Sequence, residues 1–186
     1  MFLYISGTKL IANFILILFC CLMVWAVISD IRFFILSNKL CLSVALLYPI
    51  FIVLLYINGT PLALEYIGWS VAISLTIFAL LVTLFAFGYI GGGDVKLIPA
   101  IALWAGPAYT LKFLLITTIC GGIVALLILG SQYIKKYPLG TKSSEKINLS
   151  VSKSAESEDE EKNIPYGIGI AAGGLYIAFE LFQALN

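Results

Sequence analysis

Long apolar runs broken by short polar segments dominate the chain, and a helix needs about 20 mostly apolar residues to cross a bilayer. The first such run is Leu10 to Ser29, LIANFILILFCCLMVWAVIS. It is longer than the roughly 7 to 15 apolar residues of a signal-peptide core, and no A-x-A-like cleavage site follows before Asp30. It is therefore expected to be a permanent helix. A second run, Lys39 to Ile57, carries Pro49, which membrane helices tolerate, and ends in the turn sequence Asn58-Gly59-Thr60-Pro61. A third covers Tyr66 to Phe87 and runs into Gly88-Tyr89-Ile90-Gly91-Gly92-Gly93-Asp94, too rich in glycine for a helix interior. Val95 to Ala105 predicts a short fourth helix, stopped by Gly106-Pro107. Ala108 to Gln132 and Ile164 to Leu185 predict a fifth and a sixth. The last opens with Pro165-Tyr166-Gly167 and contains Gly169, Gly173 and Gly174, small residues that let neighbouring helices approach closely. The fold class expected is all-α: one transmembrane domain over residues 1–186, a polytopic bundle of about six helices.

One hydrophilic segment interrupts this pattern, Tyr133 to Asn163, with six lysines and six acids that cancel. It reads as a solvated connecting loop. Membrane orientation follows Lys and Arg in the connections. Arg32 and Lys39 follow the first run, Lys96 follows the glycine stretch, and the six lysines follow the fifth run, whereas the opposite side offers Lys9 and Lys112. The three basic connections are expected to be cytoplasmic in the cell inner (plasma) membrane, with both termini outside. The sequons at Asn58 and Asn148 are short enough to be chance.

Composition narrows the chemistry. Apolar residues make up 61% of the 186 and charged residues 11%, with a net charge of +1, so nothing points to nucleic acid as a partner. Histidine is absent, which excludes His-dependent triads and histidine zinc sites. Cys20, Cys21, Cys41 and Cys120 have no C-x-x-C spacing and read as small apolar packing residues. No metal or cofactor is expected. Carboxylates lead as acid/base candidates, and four lie outside the hydrophilic loop: Asp30, Glu65, Asp94 and Glu180. Glu65 and Glu180 read as solvated residues near helix ends. Asp30 and Asp94 each sit where an apolar run meets the cytoplasmic boundary, at a depth where ionisable groups are functional candidates. Two carboxylates in a low-dielectric cleft share one proton, the state needed for peptide hydrolysis by water. The spacing leaves open which is base and which acid. Gly91 to Gly93, lacking side chains, would let an extended substrate backbone lie close to Asp94. The alternatives are a boundary residue paired with Arg32 or Lys96, and a flexible turn.

Gly91-Gly92-Gly93-Asp94-Val95-Lys96-Leu97 resembles the G-x-G-D motif, with its following lysine, of the prepilin peptidases, which are membrane-spanning aspartyl proteases. Asp30-Ile31-Arg32-Phe33-Phe34-Ile35-Leu36-Ser37-Asn38 resembles that family's other aspartate box, D-x-R followed by I-P-N: Asp30, Arg32 and Asn38 match, while Leu36 and Ser37 replace Ile and Pro. Ile164-Pro165-Tyr166-Gly167 is similar to the proline-rich start of the family's last helix. The absence of a methyltransferase segment with cysteine pairs resembles the short, Tad or CpaA-like form and the archaeal preflagellin peptidases. The resemblance implies catalytic Asp30 and Asp94, supported by Gly91, Gly93, Lys96, Arg32 and Asn38. It also implies a prepilin-like membrane protein as substrate, losing a short basic leader without N-methylation. The rival reading is a proton- or ion-coupled transporter using the same two aspartates, and a third is a non-catalytic membrane scaffold.

Overall fold

The structure, a computed structural model, describes residues 2–33, 36–57, 59, 62–136 and 166–185. These form helices only: α1 (Phe2–Phe33), α2 (Asn38–Ile57), α3 (Leu64–Ala86), α4 (Asp94–Lys136) and α5 (Gly167–Leu185). Each contains a stretch long and apolar enough to cross a membrane. The surface agrees with that medium, since Phe14, Trp25, Leu75, Leu111 and Leu126 are all exposed. Side chains that would be inside in water face outward where lipid is the solvent. Asn58, Thr60 and Pro61 of the predicted turn, Phe34 and Ile35 of the aspartate box, residues 137–163 of the polar segment, and Ile164 and Pro165 lie outside the described residues.

Six predicted helices become five elements because the fourth and fifth are joined in α4. At 43 residues α4 would run about 65 Å if straight, twice the roughly 30 Å hydrocarbon core. It is not straight. Gly106 has non-helical backbone (φ 58°, ψ −172°) and separates two helical limbs. The local sequence explains the break: the residue before a proline is sterically pushed out of the α region, and Pro107 then starts the second limb, where its missing N–H costs nothing. Asp94 and Ile98 line the same crevice as Thr118 and Gly122, so the limbs lie side by side and the chain reverses at Gly106.

Helix ends follow local chemistry. Asp30 lies in the last turn of α1, which continues past Ser29 to Phe33. Ser37 caps α2: its Oγ and its carbonyl both accept from the Leu40 N–H, at 3.2 and 3.0 Å. The departure from proline at this position therefore has a structural use. Glu65, just before the apolar run predicted from Tyr66, lies in the first turn of α3, where a carboxylate complements the helix dipole. Gly88, at φ 77°, closes α3: its N–H bonds the Phe85 carbonyl and the Tyr89 N–H bonds that of Leu84, a Schellman arrangement.

The core forms around Trp104 on the first limb of α4. The rings of Phe19, Tyr48 and Phe51 surround it at centroid distances of 4.7, 5.6 and 5.4 Å. Its indole N–H donates to the Val44 carbonyl at 2.9 Å. That bond forms beside the place where Pro49, lacking an N–H, leaves the Ala45 carbonyl without its helical donor. Trp104 thereby fastens α1, α2 and α4 together. α5 packs between α1 and α4. A side chain at Gly169 would strike the Gly121 backbone, its Cβ falling 2.6 Å from the nitrogen, so α5 sits against bare α4 backbone.

Candidate active site

Three helix ends converge on one end of the bundle: the C-terminal turn of α1, the N-terminus of α4 and the N-terminus of α5. The glycine stretch closes the turn into α4, with the Val95 N–H bonding the Gly91 carbonyl and the Lys96 and Leu97 N–H groups bonding that of Gly93. Asp94 is thus the first residue of α4, a position suited to an anion because the leading N–H groups of a helix have no partners within it. Asp30 approaches from α1, buried at 7% exposure. The two carboxylates are close enough for the charge of Asp30 to act on Asp94.

Their surroundings differ. Oδ2 of Asp30 accepts a hydrogen bond from the Gly167 N–H at 2.7 Å, in the first turn of α5. Asp94 instead forms part of the wall of a crevice of about 460 Å³, with Tyr89, Thr118, Gly122, Tyr166 and Ile170 among its other walls. The site therefore has a held carboxylate at its back and a second one lining a cleft large enough for several peptide atoms.

The remaining sequence-predicted residues divide. Lys96 and Asn38 are brought together, the lysine Nζ donating to Asn38 Oδ1 at 2.8 Å and tying α4 to α2. Arg32 is exposed in the last turn of α1. Among the described residues no ion pair joins either aspartate to Arg32 or Lys96, so neither is a boundary carboxylate neutralised by its flanking base. Gly91 lies beside Asp94, a Cβ there falling 3.5 Å from Oδ2, whereas Gly93 lies against Leu36. A Cβ at Gly93 would fall 2.8 Å from the Leu36 Cβ, so this glycine seats the turn against the chain leading into α2. The Cys41 sulfur lies 3.9 Å from the Gly93 carbonyl oxygen and completes that seat. Glu180, expected to be a solvated end residue, accepts a hydrogen bond from the Tyr176 hydroxyl and pairs with Lys112 at 3.8 Å.

Sequence reading did not single out Gly167 as a partner of Asp30. The available signal was its place at the start of a helix, where unpartnered N–H groups await an acceptor. Thr118, Gly122 and Ile170 carried no such signal, because only the reversal at Gly106 and the packing of α5 bring them to Asp94. No curated protein and no solved structure matches the chain. The sequence model of the type IV leader peptidase family matches residues 17–126, which include both aspartates and more than half of the chain, and the chain belongs to that family of proteases.

Proposed function

We propose that the chain is an aspartic endopeptidase that removes the short basic leader from type IV prepilin-like precursors at the cytoplasmic boundary of the inner membrane, without methylating the product. The observation that carries this reading is the meeting of Asp30 and Asp94 at one end of the bundle, neither of them paired with a base among the described residues and one of them lining a cleft. In the working state the pair shares one proton. The ionised member takes a proton from water as its oxygen bonds to the scissile carbonyl carbon, while the protonated member hydrogen-bonds the carbonyl oxygen. The carbon–nitrogen bond then breaks and the leaving amine takes a proton from the dyad.

Orientation supports the substrate class. Arg32, Lys39 and Lys96 lie at the dyad end, and a precursor held in the membrane with its basic leader in the cytoplasm would present the leader junction there under the positive-inside rule. Lys112 and Glu180 mark the other end, since Glu180 is 13 residues beyond Gly167 and so about 20 Å along α5.

The test is co-expression with a pilin precursor from the same genome, comparing leader removal by wild type, Asp30→Asn and Asp94→Asn. Asparagine preserves shape and keeps an acceptor for the Gly167 N–H, so both variants should insert normally. Each should cleave at least about 100-fold more slowly. Wild-type cleavage by either variant would exclude the aspartyl mechanism through Asp30 and Asp94.

A further inference from the structure

The last turn of α1 is a poor place for a carboxylate, because a helix C-terminus presents carbonyl oxygens and the negative end of its dipole. Asp30 is in that turn and is buried, so its oxygens need donors from elsewhere. α5 supplies one. The Gly167 N–H is among the leading donors of α5 that find no acceptor within the helix, and its 2.7 Å bond to Oδ2 has the length of a charge-assisted hydrogen bond.

Close approach is possible only because residue 167 has no side chain. A Cβ there would fall 2.6 Å from Asp30 Oδ2, 2.7 Å from Cγ and 2.9 Å from Cβ. It would meet the whole head of the side chain down to its root, so no rotation of the carboxylate makes room. Nor can α5 withdraw freely, since two residues further on Gly169 is seated on the Gly121 backbone. The strain of any larger residue at 167 falls on Asp30.

We infer that Gly167 is the positioning residue of the active site: its N–H fixes one oxygen of Asp30, and its missing side chain leaves the space that the carboxylate occupies. The inference rests on the reading of Asp30 and Asp94 as a catalytic pair and adds a geometric assignment to it. With Oδ2 committed to the backbone of α5, Oδ1 is the oxygen of Asp30 left for water, substrate or the proton shared with Asp94. The same turn of α5 reaches the second carboxylate, because Tyr166 and Ile170 line the crevice to which Asp94 belongs. α5 thus sets the relation between the two aspartates. Gly167 lies beyond the segment matched by the family model, so this assignment comes from the packing alone.

The test uses the whole protein in detergent micelles, measuring cleavage kinetics of Gly167→Ala and thermal unfolding of wild type, Gly167→Ala, Asp30→Ala and the double variant. Misplacing a reacting group by about 1 Å costs on the order of 100-fold in rate, so kcat of Gly167→Ala should fall by about that factor with KM within about threefold. Its melting temperature should fall in the wild-type background and fall less when residue 30 is alanine, because the 2.6 and 2.7 Å collisions with the carboxylate are gone and only the 2.9 Å approach to Cβ remains. If Gly167→Ala alone fails to fold, recovery of folding in the double variant carries the same meaning. Wild-type kcat, equal loss of stability in both backgrounds, or a double variant that also fails to fold would each overturn the inference. Stability coupling between residues 30 and 167 does not depend on proteolysis, so it separates failure of this inference from failure of the dyad.

Discussion

Replacing Gly106 with alanine tests the reversal on which the cleft depends. Two costs add at this position. The backbone, at φ 58° and ψ −172°, lies at the edge of a region open essentially to glycine alone, which costs a side-chain-bearing residue about 1–3 kcal/mol. The new Cβ would also fall 2.5 Å from Tyr66 Oη, 2.8 Å from its Cζ and 3.0 Å from Ser70 Oγ, an overpacking worth about another 1–3 kcal/mol. Ser70 is fully buried and its hydroxyl donates to the Tyr66 carbonyl at 2.8 Å, so relief must come from the tyrosine ring. The sum is about 2–6 kcal/mol, large against a typical single substitution. Unfolding in mixed micelles, followed by tryptophan fluorescence, measures it for Gly106→Ala, Tyr66→Ala and the double variant. The two changes should couple by about 1–3 kcal/mol, the overpacking share, while the backbone share survives in the double variant. A Gly106→Ala protein within about 0.5 kcal/mol of wild type, or one with no coupling to Tyr66, would refute the geometry of the kink.

Other substitutions probe the supports of the site. Ser37→Ala removes the cap of α2 and should destabilise by about 1 kcal/mol in the same unfolding assay; no change would mean that the Leu40 N–H finds another acceptor. Glu180→Gln breaks a pair whose lysine is more than half exposed, and should cost less than about 1 kcal/mol while leaving cleavage intact. A loss of cleavage in Glu180→Gln would connect the far end of the bundle to the dyad and contradict their separation along α5.

How far the sequence revealed this architecture depended on the range of each cause. Local causes were legible: the length of the apolar runs set the helices, Gly106-Pro107 located the break inside α4, and the glycine stretch ended at Asp94 as the first residue of the next helix. The two aspartates stood out because ionisable groups are rare in such a chain. What remained hidden came from packing between distant segments. The packing of Gly93 against Leu36 was not legible, because the two lie far apart in the chain. Lys96 and Arg32 looked equally able to meet an aspartate, yet Lys96 bonds Asn38 and Arg32 faces outward. Glu180 looked like a solvated terminus because Lys112 belongs to a different helix.

The hydrogen bond between Gly167 and Asp30 joins a residue made early in the chain to one made late. Ribosomes deliver the chain from its N-terminus, so Asp30 and Asp94 reach the membrane before α5 exists. Until the first turn of α5 docks, Asp30 lacks its backbone donor and the Asp94 cleft lacks the wall formed by Tyr166 and Ile170. A half-inserted chain therefore carries both carboxylates but not their arrangement. Under the proposed function, the aspartate pair is complete only once the bundle is complete.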